Sequence, residues 1–312
     1  MQNILVTGGS GFIGSNVCKF LVENNYKVTV FDNNFRGNLK RLSSIKKKIK
    51  FVKGDIRKKK DLEKAFLKID TVIHLAYING TKYFYDRPID VIEVGIKGIF
   101  NILELSKKYA VKNFYLASSS EVYQTPNKIP TDENEMLKIP DIYNPRYSYG
   151  AGKIISELLS VYYAKKFFKK LVIFRPHNVY SHDMGNEHVI PEFIRKISLI
   201  KNNKNLEIKG TGNEVRSFIH ITDFMKAFSL IFKKGRNLSV YNIGTTEKIS
   251  IKKLAKLIGN KFNKRFKIKT TNQFKGNTNI RCPNINKIKF LGFKQSISLS
   301  YGLDLILQRT KR

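Results

Sequence analysis

Four side chains near the middle of the chain have the types and spacing to move a proton. Tyr149 and Lys153 stand four residues apart in Tyr-Gly-Ala-Gly-Lys, within a stretch that reads as a long helix reaching about residue 168, so one helical face carries both. An ammonium beside a phenol favours tyrosinate and brings an ordinary pKa of about 10 closer to neutrality, which makes a usable general base. Upstream, residues 113–117 read as a strand that runs into Ser118-Ser119-Ser120-Glu121-Val122-Tyr123. In an extended chain Ser119 and Glu121 point to the same side, so a hydroxyl and a carboxylate face one pocket. Residues 124–146 form a polar loop with several prolines, long enough to suggest a functional lid.

The elements that must position these groups follow from the apolar pattern. Residues 3–6 suit a buried parallel strand and 12–21 repeat apolar residues at helical spacing, so Thr7-Gly8-Gly9-Ser10-Gly11-Phe12-Ile13-Gly14 is a strand-to-helix turn. Gly8 permits the tight turn, Gly11 lets backbone N–H groups approach a pyrophosphate, and Gly14 lets the helix that Phe12 and Ile13 open lie close to the sheet. The anion then meets the positive end of that helix, so the turn is a dinucleotide cradle. The next strand, 27–31, ends in Asp32, placed to accept hydrogen bonds from the adenosine ribose hydroxyls and to repel a further phosphate, which favours NAD over NADP. Arg36 lies just beyond. A third strand closes on Asp55-Ile56, an acid and an apolar residue that can bracket an adenine ring; residues 61–69 alternate like a helix, and the end of a fourth strand, 71–76, brings His74-Leu75-Ala76-Tyr77 to the same crevice. His74, among apolar neighbours and without a nearby carboxylate, reads as a packed strand histidine.

At 312 residues the chain exceeds the usual single-domain length, so a dinucleotide domain plus a smaller partner is expected. Its 42% hydrophobic and 26% charged residues are ordinary for a soluble globular protein. No apolar run approaches roughly 18 residues and the N terminus enters a strand directly, so neither a membrane insertion nor a signal peptide is expected. Cys18 and Cys282 form no disulfide framework or ligand cluster; no metal is expected, and a reducing cytoplasm fits best. The 58 basic and 24 acidic side chains leave a net charge of +34. One reading is attraction to nucleic acid or an anionic surface. The lysine runs at 46–48 and 58–60 are scattered, however, and lack an aromatic platform, so a solvated basic surface is the preferred reading and no specific nucleic acid is expected.

The residues TGGSGFIG (7–14), Asp32, Asp55-Ile56, the serine strand end, YGAGK (149–153), Arg175-Pro176, Asn178, Arg216 and RCPNINK (281–287) together carry a resemblance. Along essentially its whole length the chain is similar to extended short-chain dehydrogenase/reductases of the nucleotide-sugar epimerase/dehydratase family. The resemblance implies an α/β fold: a Rossmann-type doubly wound parallel sheet in 1–176, to which 222–244 returns, and a smaller α/β C-terminal domain in 177–312 for the nucleotide sugar. It implies a bound NAD that removes hydride from a sugar carbon and later returns it. Tyr149 would then take the hydroxyl proton, Ser119 would hydrogen-bond the same oxygen, and Lys153 would hold the nicotinamide ribose. Asn178 matches a position that touches the sugar diphosphate. Arg216 and Arg281 match arginines that grip it, for which a planar, two-pronged donor is suited. A homodimer through helices at 89–109 and 149–168 is implied in the same way.

Gln124, Ser181 and Gly95 depart from the family pattern, in which the first two are commonly glycine and the third asparagine. They leave Ser119, Tyr149 and Lys153 intact but blur the subfamily. Glu121 carries the discrimination between reactions. C4 epimerisation needs no further carboxylate and is the leading expectation. A 4,6-dehydratase or a UDP-glucuronate decarboxylase would use Glu121 as a further acid or base, and Ser120 stands where one dehydratase branch has aspartate. A different class, a non-catalytic nucleotide-binding scaffold with a basic interaction surface, is opposed by the intact Ser119, Tyr149 and Lys153.

Overall fold

A computed structural model describes residues 2–185, 187–272, 276 and 278–310. Its centre is a seven-stranded parallel sheet, whose first six strands in the chain are β1 (Asn3–Thr7), β2 (Lys27–Asp32), β3 (Ile49–Lys53), β4 (Thr71–His74), β5 (Asn113–Ala117) and β6 (Lys170–Pro176). Alternate residues along these strands enter different cores. Ile4, Val6, Tyr115, Ala117, Val172 and Phe174 join one, while Leu5, Phe114, Leu116, Leu171 and Ile173 join the other. A two-residue period with both sides apolar requires a sheet covered on both faces. Helices α1 (Phe12–Glu23) and, later in the chain, 221–234 cover the first face; α2 (Lys59–Glu63), α3 (Thr81–Asp86), α4 (Pro88–Glu93), α5 (Ile99–Lys108) and α6 (Ser148–Phe167) lie on the second.

The later chain adds β7 (Val179–Tyr180), α7 (Val189–Leu199), β8 (Asn205–Lys209), β9 (Val215–Ser217), β10 (Ile219–His220), α8 (Ile221–Lys234) and β11 (Ser239–Ile243). β11 pairs with β6 and completes the sheet in the order β11-β6-β5-β4-β1-β2-β3. The chain therefore runs from β1 outward to β3, then crosses to β4 on the other side of β1. Such a reversal opens a crevice beyond the carboxyl ends of β1 and β4. There the Thr7 hydroxyl and His74 Nδ1 share a hydrogen bond of 2.7 Å, and His74 is buried. The histidine is a strand-to-strand tie, as its apolar setting suggests.

Around a third core of Ile190, Phe193, Leu254, Ile258 and Leu303 stand β12 (Lys248–Ser250), α9 (Ile251–Lys261) and β13 (Lys267–Thr271); β14 (Ile280–Arg281) pairs with β9, α10 (Asn286–Phe290) joins the first core through Ile288 beside β11, and α11 (Leu299–Thr310) returns to the third core. β9 lies between β12 and β14. Among the described residues no helix is long and apolar enough to cross a membrane, and no group of His, Cys, Asp or Glu is arranged to hold a metal.

Three local expectations change. The helix expected over 61–69 is confined to α2, although Leu62, Ala65, Phe66 and Ile69 are buried as the apolar spacing implies. The single helix expected over 89–109 is interrupted by a π turn at residues 94–98, where Gly95 packs against Tyr77 and Gly98 against Ile56. The segment after β5 is not extended: Ser119 caps a 3₁₀ turn, Ser120–Val122, and its hydroxyl accepts the Glu121 N–H at 3.1 Å.

Candidate active site

A cleft of about 1090 Å³ begins at the β1–β4 reversal and extends toward the third core. Its volume slightly exceeds that of ordinary ligand pockets, about 300–1,000 Å³, and leaves room for a cofactor and a substrate together. Gly8, Gly11, Phe12, Ile13, Gly14, Asp32, Asp55, Ile56, Leu75 and Ala76 all line it. Gly8 has φ +74°, and a Cβ there would lie 2.6 Å from the Ala76 amide nitrogen. A Cβ on Gly11, by contrast, would meet only the Gly8 carbonyl, at 3.1 Å. The protein does not fill the space over Gly11, and α1 begins there with no side-chain cap and no acid in its first turn. Those free N–H groups fit a pyrophosphate.

Two backbone amides hold the Asp32 carboxylate. Its two oxygens accept the Ser10 N–H at 3.0 Å and the Asn34 N–H at 2.8 Å, and each retains an acceptor site for a ribose hydroxyl. Arg36 is engaged elsewhere: it pairs with Glu187 at 2.9 Å and lies over the Tyr83 ring. Asp55 pairs with Arg57 at 2.7 Å.

Farther along, Ser119, Glu121, Tyr149 and Lys153 line the same cleft. The Ser119 hydroxyl hydrogen-bonds Tyr149. Lys153 donates to the Ala117 carbonyl at 2.6 Å, and its Nζ lies 5.8 Å from the centroid of the Tyr149 ring. The electrostatics differ from the sequence-based expectation. Burial pushes the Tyr149 phenol above its ordinary value, despite the Ser119 hydrogen bond, and lowers Lys153 to about 7. The desolvation of both groups outweighs their proximity.

The anionic end is built around Glu121. Arg281 donates to its two oxygens at 2.7 and 3.0 Å, and Arg146 approaches at 3.5 Å. Burial raises the Glu121 carboxyl, but these arginines prevail and hold it at about 2. Arg216 and Arg281 are direct partners across β9 and β14. Burial and the neighbouring Arg281 both disfavour the Arg216 charge. Three arginines thus converge on one carboxylate, an excess of positive charge suited to a diphosphate. Asn178 also lines the cleft, with φ +38°, and its amide donates to the Ser217 carbonyl at 2.9 Å.

The sequence reading places Tyr77 at this crevice without a role and misses Arg146. Arg146 is 6% exposed, and its Nε and Nη1 have no hydrogen-bond partner. Its position three residues before Tyr149 was the available signal. Tyr77 stands edge-on to Tyr149 with ring centroids 4.9 Å apart, while Phe84 stacks on Tyr149 at 5.1 Å.

Residues 4–244 match the NAD dependent epimerase/dehydratase family. A putative UDP-glucose 4-epimerase of Methanocaldococcus jannaschii is 33% identical over 313 residues, covering 99% of this chain and 98% of that protein. A dTDP-D-glucose 4,6-dehydratase of Dictyostelium discoideum is 36% identical over 272 residues; the match covers 83% of this chain and 62% of the relative. The crystal structure of the Thermotoga maritima UDP-glucose 4-epimerase with UDP-glucose superposes with a TM-score of 0.89 at 28% identity, covering 100% of both chains. That of Bacillus anthracis dTDP-glucose 4,6-dehydratase in complex with NAD gives 0.86 at 26% identity, covering 100% of this chain and 97% of the other. With the cradle, the Asp32 carboxylate and the Ser/Tyr/Lys set in one cleft, the chain belongs to the NAD dependent epimerase/dehydratase family and is an NAD-dependent enzyme.

Proposed function

We propose that the enzyme inverts C4 of a nucleotide-diphosphate sugar through a transient 4-keto sugar. Bound NAD supplies reversible hydride acceptance to this chemistry. Tyr149 takes the C4 hydroxyl proton as the C4–H bond breaks, Ser119 hydrogen-bonds the same oxygen, and Lys153 orients the nicotinamide ribose and biases Tyr149. Tyr149 would give the proton back to the C4 oxygen once the same hydride had been returned to the opposite face, leaving the inverted alcohol with no water or redox equivalent gained or lost. Gly8, Gly11, Phe12, Ile13, Gly14, Asp32, Asp55, Ile56, Leu75 and Ala76 hold the cofactor, and Asn178, Arg216 and Arg281 receive the diphosphate.

The observation that carries this reading is the ionised Glu121, bonded through both oxygens to Arg281. A dehydratase needs a group that exchanges a proton near neutral pH, and a carboxylate held at about 2 is poorly matched to that work. Glu121 instead holds Arg281 in place. The whole-length relationship to a putative UDP-glucose 4-epimerase supports the same outcome. A second reading, 4,6-dehydration, is favoured by the position of Glu121 in the cleft with Tyr149 and by the Dictyostelium relative. A diphosphate that drew Arg281 away would free the carboxylate.

Mass spectrometry and chromatography of products from a panel of nucleotide sugars separate these readings. Epimerisation leaves the mass unchanged and yields a new isomer. A product lighter by one water would overturn it in favour of dehydration, and loss of carbon dioxide would mean decarboxylation. Glu121→Gln should retain turnover in an epimerase and lose most of it in a dehydratase.

We also infer that 1–176 with 222–244 forms the cofactor domain and 177–312 otherwise forms the substrate domain. A homodimer is supported by exposed Ile89, Ile92 and Phe100 on the α4–α5 segment and Leu158 and Tyr162 on α6, which packs beside α4. Light scattering at the mass of two chains is the expected result. A cytoplasmic setting accords with two free, buried cysteines.

A further inference from the structure

Lys153 is 2% exposed, and among the described residues no carboxylate forms an ion pair with its ammonium; Glu157 pairs with Arg175. On β5 the Ala117 carbonyl accepts from it at 2.6 Å. From the segment after β4, the Tyr77 ring lies with its centroid 4.2 Å from Nζ, closer than Tyr149 at 5.8 Å. His74 on β4 is kept neutral, lowered to about 3 by burial and by this ammonium, while Glu157, one turn farther along α6, favours the Lys153 charge from a distance but is bonded to Arg175. Beside the Ala117 carbonyl, the face of Tyr77 therefore offers the ammonium a negative electrostatic surface.

The ring is held in a fitted slot. Its hydroxyl end enters between Gly95 of the π turn and Gly152 of α6, and a Cβ on either glycine would overlap the hydroxyl oxygen. The Ser156 hydroxyl joins the two walls, meeting the Gly95 carbonyl at 3.2 Å and the Gly152 carbonyl at 2.7 Å. The Tyr77 hydroxyl itself has no hydrogen-bond partner. The contact that serves the site is made by the ring.

We propose that Tyr77 is a positioning residue for Lys153: its ring, wedged between Gly95 and Gly152, seats the ammonium on its π face and keeps it charged beside Tyr149. The catalytic significance rests on the reading of Lys153 given above; the electrostatic contact does not. Because burial already brings Lys153 to about 7, the loss of even a modest cation–π attraction changes its charge near neutral pH.

The test uses the full chain labelled with ¹³C at the lysine ε-carbons. The Lys153 signal is identified by its absence in Lys153→Met and titrated by NMR without substrate. Tyr77→Phe should titrate with the wild type, whereas Tyr77→Leu should titrate lower by roughly 0.5–1.5 pH units. Gly152→Ala should displace the ring and lower the titration as well. Adding Tyr77→Phe should restore it, because the new methyl then meets the ring carbon Cζ at an ordinary 3.4 Å. A folded Tyr77→Leu protein with the wild-type titration would overturn the proposal, as would a Gly152→Ala defect that Tyr77→Phe leaves uncorrected. Absence of epimerase turnover with these shifts intact would overturn the functional reading alone.

Discussion

Tyr149 and Lys153 occupy a site where burial works against both of the charges their chemistry requires. Tyr149→Phe should lower turnover by about 10²–10⁴-fold, the range for loss of a general acid or base, while leaving NAD bound. Turnover assays and cofactor release on denaturation check the two halves of that prediction. Lys153 makes a separate demand on stability. Its folded value is about 7 against an ordinary 10.5, so between them the unfolded chain binds a proton that the folded chain lacks. Wild-type stability therefore rises with pH through this window. Lys153→Met should gain stability relative to wild type by up to a few kcal/mol below pH 7, with the gain fading toward about pH 10, as measured by urea denaturation. The glycine cradle and the Tyr/Lys pair were legible because each is encoded locally. Tyr77 was legible as a crevice residue at a strand end, but its slot was not, because it joins that strand end to a π turn and a helix that only tertiary packing brings together.

At the scale of elements, the placement of α6 decides where Tyr149 and Lys153 stand. Arg175 on β6 donates to both Glu157 oxygens, at 2.8 and 2.6 Å, and to the Tyr123 hydroxyl at 2.7 Å, pinning the middle of α6 to the sheet. Both partners are buried. Arg175→Met leaves a carboxylate without its cation and should cost about 3–5 kcal/mol, readable as a lower denaturation midpoint. The strands of the sheet were legible because alternation and length specify them. The π turn was not: apolar spacing reports a helix, while the wider turn is set by what packs beside Gly95 and Gly98. For the same reason, the serine segment read as extended became a capped 3₁₀ turn, which brings the Ser119 hydroxyl onto the Glu121 amide.

Across the whole molecule, the reversal between β1 and β4 puts one cleft against residues drawn from much of the chain, from Gly8 to Arg281. The chain as a whole carries a net charge of +34, and a nucleotide diphosphate should be drawn toward it. The expected signature is a kcat/KM that falls several-fold between roughly 0.05 and 0.5 M salt while kcat changes little. Equal loss in both quantities would point instead to a salt-sensitive fold. The doubly wound plan was legible from strand and helix patterning, but the charge field's reach toward one site depends on where the loops place their lysines. The late arrival of β11 beside β6 also bears on how the protein is made. While a ribosome has delivered only the first 176 residues, β6 has an open edge, and Val172 and Phe174 lack the cover of α8. The nascent chain must shelter that edge from its neighbours until Ser239–Ile243 emerges, so synthesis itself passes through an aggregation-prone interval.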